Sequence, residues 1–588
     1  MSIGRLPNLI LFLAGFAILS SAPLQAFSVS LTASSPPPGL VGGMITWSGA
    51  TDAPSSARVR YRFRARRVGA AFQIIRDYGP QTDLAWTASD HEGIYEMEVS
   101  AKDPDNGEVA TTSLVYQMNS RVDAGGAVVT PTSNPQVYLF SAPPCASGGR
   151  MRIDFYAPDG VVKSTPFKAC TGAFSMNFYL AGMKAQTSYL AHSFLDTGSA
   201  FQTGTDIPFT TGAAPAIGYS NTVQTDPPEA VSNPVLLTSN GVATDLAGNL
   251  LWSIEEVSII TRPEPGGYFW GILENAGQDI SAQAIRKFDL VGMTVLETNA
   301  ERVNEQLKAL GKRPISGFHH EVRTLPGGRI AALADVEQLL TDQQGPGTVD
   351  VLGDEIVVFD KDLNVVWTWY TFDWLDVTRQ AVLGEVCMGG GGCPPYYLAR
   401  NANDWTHGNA LQQTPDGQFL YSARHQDWLI KIDYGNGEGD GHIIWRLGNG
   451  GDFTWNSTDP WPWFSHQHDG NFASTDSNRL LVFDDGNTRF AQTGIGVSRG
   501  QVLELDENNR TVDFVLNADL GVFSLAVGSA QQLRDGSYHF DAGYVVQEDN
   551  SIAAYSMEVS PAGVITYQMM QSTLVYRSFR MTDLYNPN

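Results

Sequence analysis

Eight of the ten histidines of this chain fall after residue 300, and several stand just ahead of a strand that ends in a tight turn. Superposing the turns at Gly328, Gly417 and Asn478 sets His407 opposite His468 and Asn409 opposite His320. His407 and Asn409 are two residues apart, so on a strand they share a face. Arg424 ends the strand that runs back after Asp416-Gly417 and returns to the same end. Any one of these side chains could be an ordinary polar filler, but three imidazoles, a guanidinium and an amide converging at one place form an anion site. They supply many donors, and an imidazole nitrogen can also act as nucleophile or move a proton near neutral pH. By the same parity His319 and His425 are expected to face away. His466 shares the parity of His468 but lies further up the chain, in an entrance loop, and His442 belongs to an outer hairpin. His539 sits on a second strand with no assigned role, and His91 and His192 read as surface or satisfied core residues.

The elements that must hold these residues repeat. A strand ending near Asp, Ser or Leu, a short turn with Gly or Asn, and a second strand often bearing Trp recur in 241–254, 284–298, 356–369, 429–447, 502–515 and 554–569. Each outer hairpin is preceded by an inner pair closed by a turn such as Pro326-Gly327-Gly328, Pro415-Asp416-Gly417 or Arg534-Asp535-Gly536. Four strands per unit at this spacing predict propeller blades, so residues 215–588 read as a six-bladed β-propeller whose run Leu574 to Tyr585 supplies a strand to the first blade. Ahead of it, alternating runs such as Arg58 to Arg64 and Tyr95 to Val99 predict a β-sandwich of the immunoglobulin or fibronectin kind over 27–120, and a second over 129–213. The expected fold class is all-β.

Composition agrees. Fifty-nine glycines, 31 prolines and 11% aromatic residues suit many short strands and turns. A formal net charge of -25 repels nucleic acid and anionic membrane surfaces, so neither is an expected partner. Met1 to Ala26, with Arg5 ahead of an apolar run from Leu9 to Leu19 and small residues after it, has the layout of a secretory signal peptide. The run is too short to span a bilayer, and the expected location is periplasmic or secreted. In that compartment the four cysteines are expected to pair locally, Cys145 with Cys170 and Cys387 with Cys393.

Asp404-Trp405-Thr406-His407-Gly408-Asn409-Ala410-Leu411, followed by Ser422-Ala423-Arg424-His425-Gln426, resembles the paired motif of the bacterial PAPS-independent arylsulfotransferases. Phe318-His319-His320-Glu321 and Phe464-Ser465-His466-Gln467-His468-Asp469 are similar to theirs too, as is the tail Tyr576-Arg577-Ser578-Phe579-Arg580. The resemblance covers residues 215 to 588 and rests on the combination. It implies that His468 is the nucleophile that becomes sulfated, with His320, His407, Asn409 and Arg424 around the sulfuryl group, that aryl sulfates and phenols are the small-molecule partners, and that the protein is a possible homodimer. Two features depart from the pattern: the N-terminal sandwiches exceed the small β domain expected of the family, and the Cys387/Cys393 loop stands before the His407 motif rather than near the nucleophile.

The chemistry suits the residues. An aryl sulfate is a monoanion, which a neutral imidazole attacks without the repulsion a carboxylate would meet. Arg424, Asn409 and the other histidines would meet the charge on the oxygens, and His407 or His320 would protonate the leaving phenolate and later deprotonate the acceptor. No Gly-Lys-Ser/Thr phosphate loop is present, so no nucleotide donor, cofactor or metal is expected. Two rival readings are a metal-dependent propeller lyase or hydrolase using His320, His407 and His468 as ligands, and a non-enzymatic adhesion or carbohydrate-binding protein.

Overall fold

The computed structural model describes Met1 and residues 27–54, 58–229, 231–274, 279–387, 398, 402–473 and 476–587. The signal segment and Cys393 lie outside the described residues. No helix among the described residues is long and apolar enough to cross a membrane.

The chain is all-β. Alternation builds its N-terminal part: in Arg60–Arg67, Tyr61, Phe63 and Ala65 turn inward while the arginines between them stay partly exposed. That strand belongs to a five-stranded sheet that faces the three-stranded sheet of Val29–Ala33, Ile45–Thr51 and Asp83–Trp86 across a core of Trp47, Phe63, Val99 and Tyr116. A second pair of sheets follows, from Val128–Pro131 to Ile207–Thr210, around Phe140, Ile153, Phe155 and the Cys145–Cys170 disulfide. Cys387 is also disulfide-bonded.

From Asn221 onward the chain forms six sheets, each with four antiparallel strands at its heart; two of them add a short strand in parallel. Their innermost strands are, in chain order, Ile259–Glu264, Gly317–Thr324, Gly408–Gln413, His468–Ala473, Gly528–Gln532 and Ser578–Met581. Each of the first five touches the next. The ends of the region interlock. Ser578–Met581, from the C-terminus, pairs with Val235–Thr238 of the first sheet, whereas Asn221–Thr225 pairs with Ile565–Gln571 of the last. The C-terminal strand thus joins the first sheet as its residues suggest.

Six apolar clusters lie between successive sheets: Leu237 and Trp252 on Phe269 and Phe288, Trp270 and Ile285 on Ala332 and Val357, and Leu333 and Ile356 on Leu411 and Tyr421. Leu420 and Trp445 pack on Val482 and Leu503, Leu481 and Val502 on Phe540 and Met557, and Tyr567 and Met569 on Leu236 and Leu246. The strands buried on both faces read as continuous apolar runs, as in Ile356-Val357-Val358-Phe359. Each sheet is fixed from both sides, which holds the innermost strands in place.

Candidate active site

Three of the innermost strands start irregularly. Pairing slips between His319 and Val322, between Gly408 and Ala410, and between His468 and Asn471. His320, His407 and Asp469 are left-handed, with φ of 55°, 49° and 49°. Non-glycine residues in this region cost about 1–3 kcal/mol each and persist only where the surroundings hold them. The bulges turn side chains toward one end of the innermost strands.

The five residues singled out from sequence gather there. The rings of His320 and His407 are 4.7 Å apart. His468 is close enough to Arg424 and His407, and His320 to His407 and His468, for their charges to be felt. Asn409 reaches the next strand, its Nδ2 donating to the Gln467 carbonyl at 2.7 Å, while its buried Oδ1 has no hydrogen-bond partner. Arg424 opens a short 3-10 turn at the end of Phe419–Ala423, and its buried Nε is likewise unpartnered.

Each imidazole is tied at Nδ1. His468 meets Asp485 at 2.6 Å, His407 meets Asp404 at 2.7 Å, and His320 meets Nδ1 of His319 at 2.8 Å, with His319 in turn 3.0 Å from Asp354. None of the three Nε2 atoms has a hydrogen-bond partner among the described residues, so these nitrogens are open to a ligand. Asp354 is itself fixed by Thr406, the Gly408 amide at 2.9 Å and Tyr421 at 2.5 Å.

Electrostatics divides the histidines. Burial, then Arg424 and His407, push His468 well below the ordinary histidine range. Burial, then His407 and His319, do the same to His320. Both are therefore neutral near pH 7. Burial also works against the charge on His319, but Asp335 and Asp354 overcome it and hold its pKa up at about 9. A protonated His319 donates to Nδ1 of His320, which places the proton of His320 on Nε2. Beneath the cluster, Glu321 takes Arg262 at 2.8 Å and Arg577 at 2.9 Å, and Asp469 pairs with Arg262. Burial opposes the charge on Glu321, but the two guanidiniums hold its carboxyl down to about 2. Arg424 is the guanidinium felt most by His468, and Arg577 bears on both His468 and His320.

Two parity expectations are corrected. His425 does not face away: its ring stacks on His407 at 4.5 Å, and its Nε2 meets the Arg424 guanidinium at 2.8 Å. Strand alternation stops at Ala423, where the 3-10 turn begins. His319 is likewise part of the cluster, because the bulge after it sets it directly against His320. His466 precedes the strand, as expected of a loop residue, but it is buried with both ring nitrogens engaged, by Asp427 at 2.9 Å and by Glu385. His539 is structural, bonding Ser578 and the Met557 carbonyl. His91 is not satisfied: its Nδ1 is buried without a partner.

The carboxylates behind the imidazoles were missed. Asp404 lies in the His407 motif three residues ahead and was visible, whereas nothing near His468 in sequence points to Asp485, which directly follows the strand paired with that of His468. Tyr576, quoted only as part of the tail, donates to the backbone carbonyls of His320 and Asn409 at 3.3 and 3.1 Å. The metal reading loses ground on geometry. Groups with donor atoms all within 4.8 Å include Glu385/His425/His466, Asp404/His407/His425 and His319/Asp335/Asp354, but among the described residues His320, His407 and His468 do not form one.

Fold and site together define an all-β protein with a cluster of buried histidines beside a guanidinium. A family model described as Arylsulfotransferase (ASST) matches residues 220–577, a stretch that carries every residue of the site and the six sheets but for the strand Ser578–Met581. The chain belongs to the arylsulfotransferase family and is a sulfotransferase enzyme; the family acts on aryl sulfates and phenols. No curated protein matches it. Among solved structures it is similar to a two-fibronectin type-III domain segment from chicken tenascin, at 14% identity over 31% of this chain and 98% of that one, with a TM-score of 0.14. It is similar also to chicken CNTN1 FN1–FN3 domains, at 13% identity over 30% of this chain and 62% of that one, with a TM-score of 0.13. Scores this low bear on neither fold nor function.

Proposed function

We propose that the chain moves a sulfuryl group from an aryl sulfate to a phenol in two half-reactions through His468, without PAPS. The observation that carries this is the set of three Nε2 atoms without partners beside Arg424, each on a ring fixed through Nδ1. With the Asp485 carboxylate accepting the Nδ1 proton, the lone pair of His468 sits on Nε2. It attacks sulfur; the new N–S bond forms as the S–O bond to the aryl group breaks, and the departing phenolate takes the Nε2 proton of His320 as protonated His319 passes its Nδ1 proton to Nδ1 of His320. Arg424 and the second N–H of Asn409 Nδ2 donate to the sulfuryl oxygens. In the second half-reaction Nε2 of His320 takes the proton of the incoming phenol and a proton returns from Nδ1 of His320 to His319, which restores the starting state, while His407 is held at Nδ1 by Asp404. The phenol oxygen bonds to sulfur, the N–S bond breaks, and the lone pair returns to His468.

The scaffold under this chemistry is, in our reading, a six-bladed propeller. Supporting it are the six sheets, the six apolar clusters between successive sheets and the interlocked ends of the region. The N-terminal segment is read as a signal for export, so the mature protein begins after Ala26; mass spectrometry of the native protein tests this. The catalytic reading is tested with purified protein, a chromogenic aryl sulfate and phenol: transfer outpacing hydrolysis, with no PAPS added, supports it, and a strict need for PAPS refutes it.

A further inference from the structure

A cavity of about 450 Å³ opens where both N-terminal modules meet the second sheet of the C-terminal region. Its floor is a cross-strand pair, Tyr268 opposite Asp289. Tyr179 and Phe178 come from the second module, and His91 with Asp90 from the first. The walls are fixed: the Tyr585 hydroxyl donates to the Tyr179 carbonyl at 2.7 Å and accepts the Ala181 amide at 2.8 Å, docking the second module on the C-terminal residues. At the mouth Lys168 reaches Asp90 at 2.7 Å, with 42% and 64% of their side chains exposed.

Two features inside are unsettled. The Tyr179 hydroxyl, although near Ser89, makes no hydrogen bond of normal geometry, and the buried Nδ1 of His91 also lacks a partner. Buried polar atoms are rarely left so unless water or a ligand completes them. Asp289 is 4% exposed and has no cationic partner among the described residues, since Lys168 is already met by Asp90 and by the Asn177 carbonyl at 2.9 Å. One oxygen of Asp289 caps its turn, accepting the Val291 and Met293 amides at 3.0 Å each. Burial pushes this carboxyl up to about 7, against the pull of those two amides.

We infer that this cavity is a binding site for a small organic cation, a primary ammonium on an aromatic or apolar body, whose charge pairs with Asp289 while Tyr268, Tyr179 and Phe178 enclose the body. A buried carboxyl without a cationic partner favours a cation, and tyrosine and phenylalanine faces attract one; the Lys168–Asp90 pair at the mouth adds no net charge. Phosphate and sulfate are disfavoured for the same reason. The site is separate from the His468 cluster and draws on none of its residues.

Calorimetric titration of the full chain with phenethylammonium tests this, with 2-phenylethanol and phenylacetate as uncharged and anionic counterparts. Saturable binding of the ammonium, at least tenfold tighter than of the alcohol, with no binding of the anion, is expected. Asp289→Asn keeps the turn-capping oxygen and should weaken the ammonium at least tenfold, whereas His468→Ala should bind it like wild type. Absence of saturable binding, equal binding of the alcohol, undiminished binding in Asp289→Asn, or loss in His468→Ala overturns the assignment. Should Asp289→Asn fail to fold, a structure of the wild-type complex decides: an ammonium nitrogen against Asp289 supports the site, and one elsewhere refutes it.

Discussion

Asp485 and Nδ1 of His468 are 2.6 Å apart, and both side chains are buried from solvent. His468 opens one strand and Asp485 directly follows the strand paired with it, so the ring is aimed by the sheet itself. Burial pushes the Asp485 carboxyl up while Arg424 works against that push, and the attacking form is the one in which Asp485 is ionised. Replacing Asp485 with Asn should put an amide donor against Nδ1 and force the ring proton onto Nε2, where the attack occurs. Sulfation of His468 from an aryl sulfate should slow by about 10²-fold or more with the donor KM little changed. Rapid-quench labelling measures it, and a wild-type rate would remove Asp485 from the mechanism. In wild type the same rate should fall as pH falls and Asp485 takes up its proton.

Arg424→Lys keeps the charge but loses the planar fork, and with it the contact of the guanidinium with His425 at 2.8 Å and with the Leu525 carbonyl at 3.1 Å. We expect kcat to fall by about 10²-fold in steady-state assays of transfer to phenol. Turnover close to wild type would place Arg424 outside the sulfuryl site.

Much of this arrangement was legible in the sequence because propeller-like repeats tie position to geometry. Turn residues recur at fixed distances, so aligning Gly328, Gly417 and Asn478 was enough to bring His320, His407, Asn409 and His468 to one end. Strand parity then failed at two places for physical reasons. A bulge after His319 and a 3-10 turn at Arg424 both break the alternation that parity assumes, and His319 and His425 join the cluster. Asp485 and Asp354 were not legible, since a carboxylate just past one strand or in the middle of another, far along the chain from its histidine, carries no local mark in sequence.

His466 is a structural histidine in this account, since Asp427 and Glu385 occupy both of its nitrogens. His466→Gln should leave sulfation of the enzyme within about threefold of wild type. Urea unfolding should show a loss of about 1–3 kcal/mol, because one buried carboxylate contact goes unmade. Loss of the label at unchanged stability would mean that His466 takes part in the chemistry.

His539 links stability to pH. Burial, with Arg580 adding to it, lowers its pKa from 6.5 to about 3, so the folded protein keeps it neutral where the unfolded chain protonates it. A depressed histidine costs stability as pH falls through 6.5, down to about 3. Between pH 7.5 and pH 5 wild type should lose about 2 kcal/mol relative to His539→Gln, other groups cancelling in the comparison. Denaturant melts of both proteins at the two pH values measure this, and an offset independent of pH would contradict it.

The central claim is that His468 carries the sulfuryl group between the half-reactions. The direct measurement supplies a ³⁵S-labelled aryl sulfate without acceptor, quenches, and maps the label by peptide mass spectrometry, alongside initial rates with donor and acceptor varied together. Label on His468, absent in His468→Ala and discharged by phenol, with parallel double-reciprocal lines, is the result this account predicts. Label elsewhere, label retained in His468→Ala, or intersecting lines would contradict it.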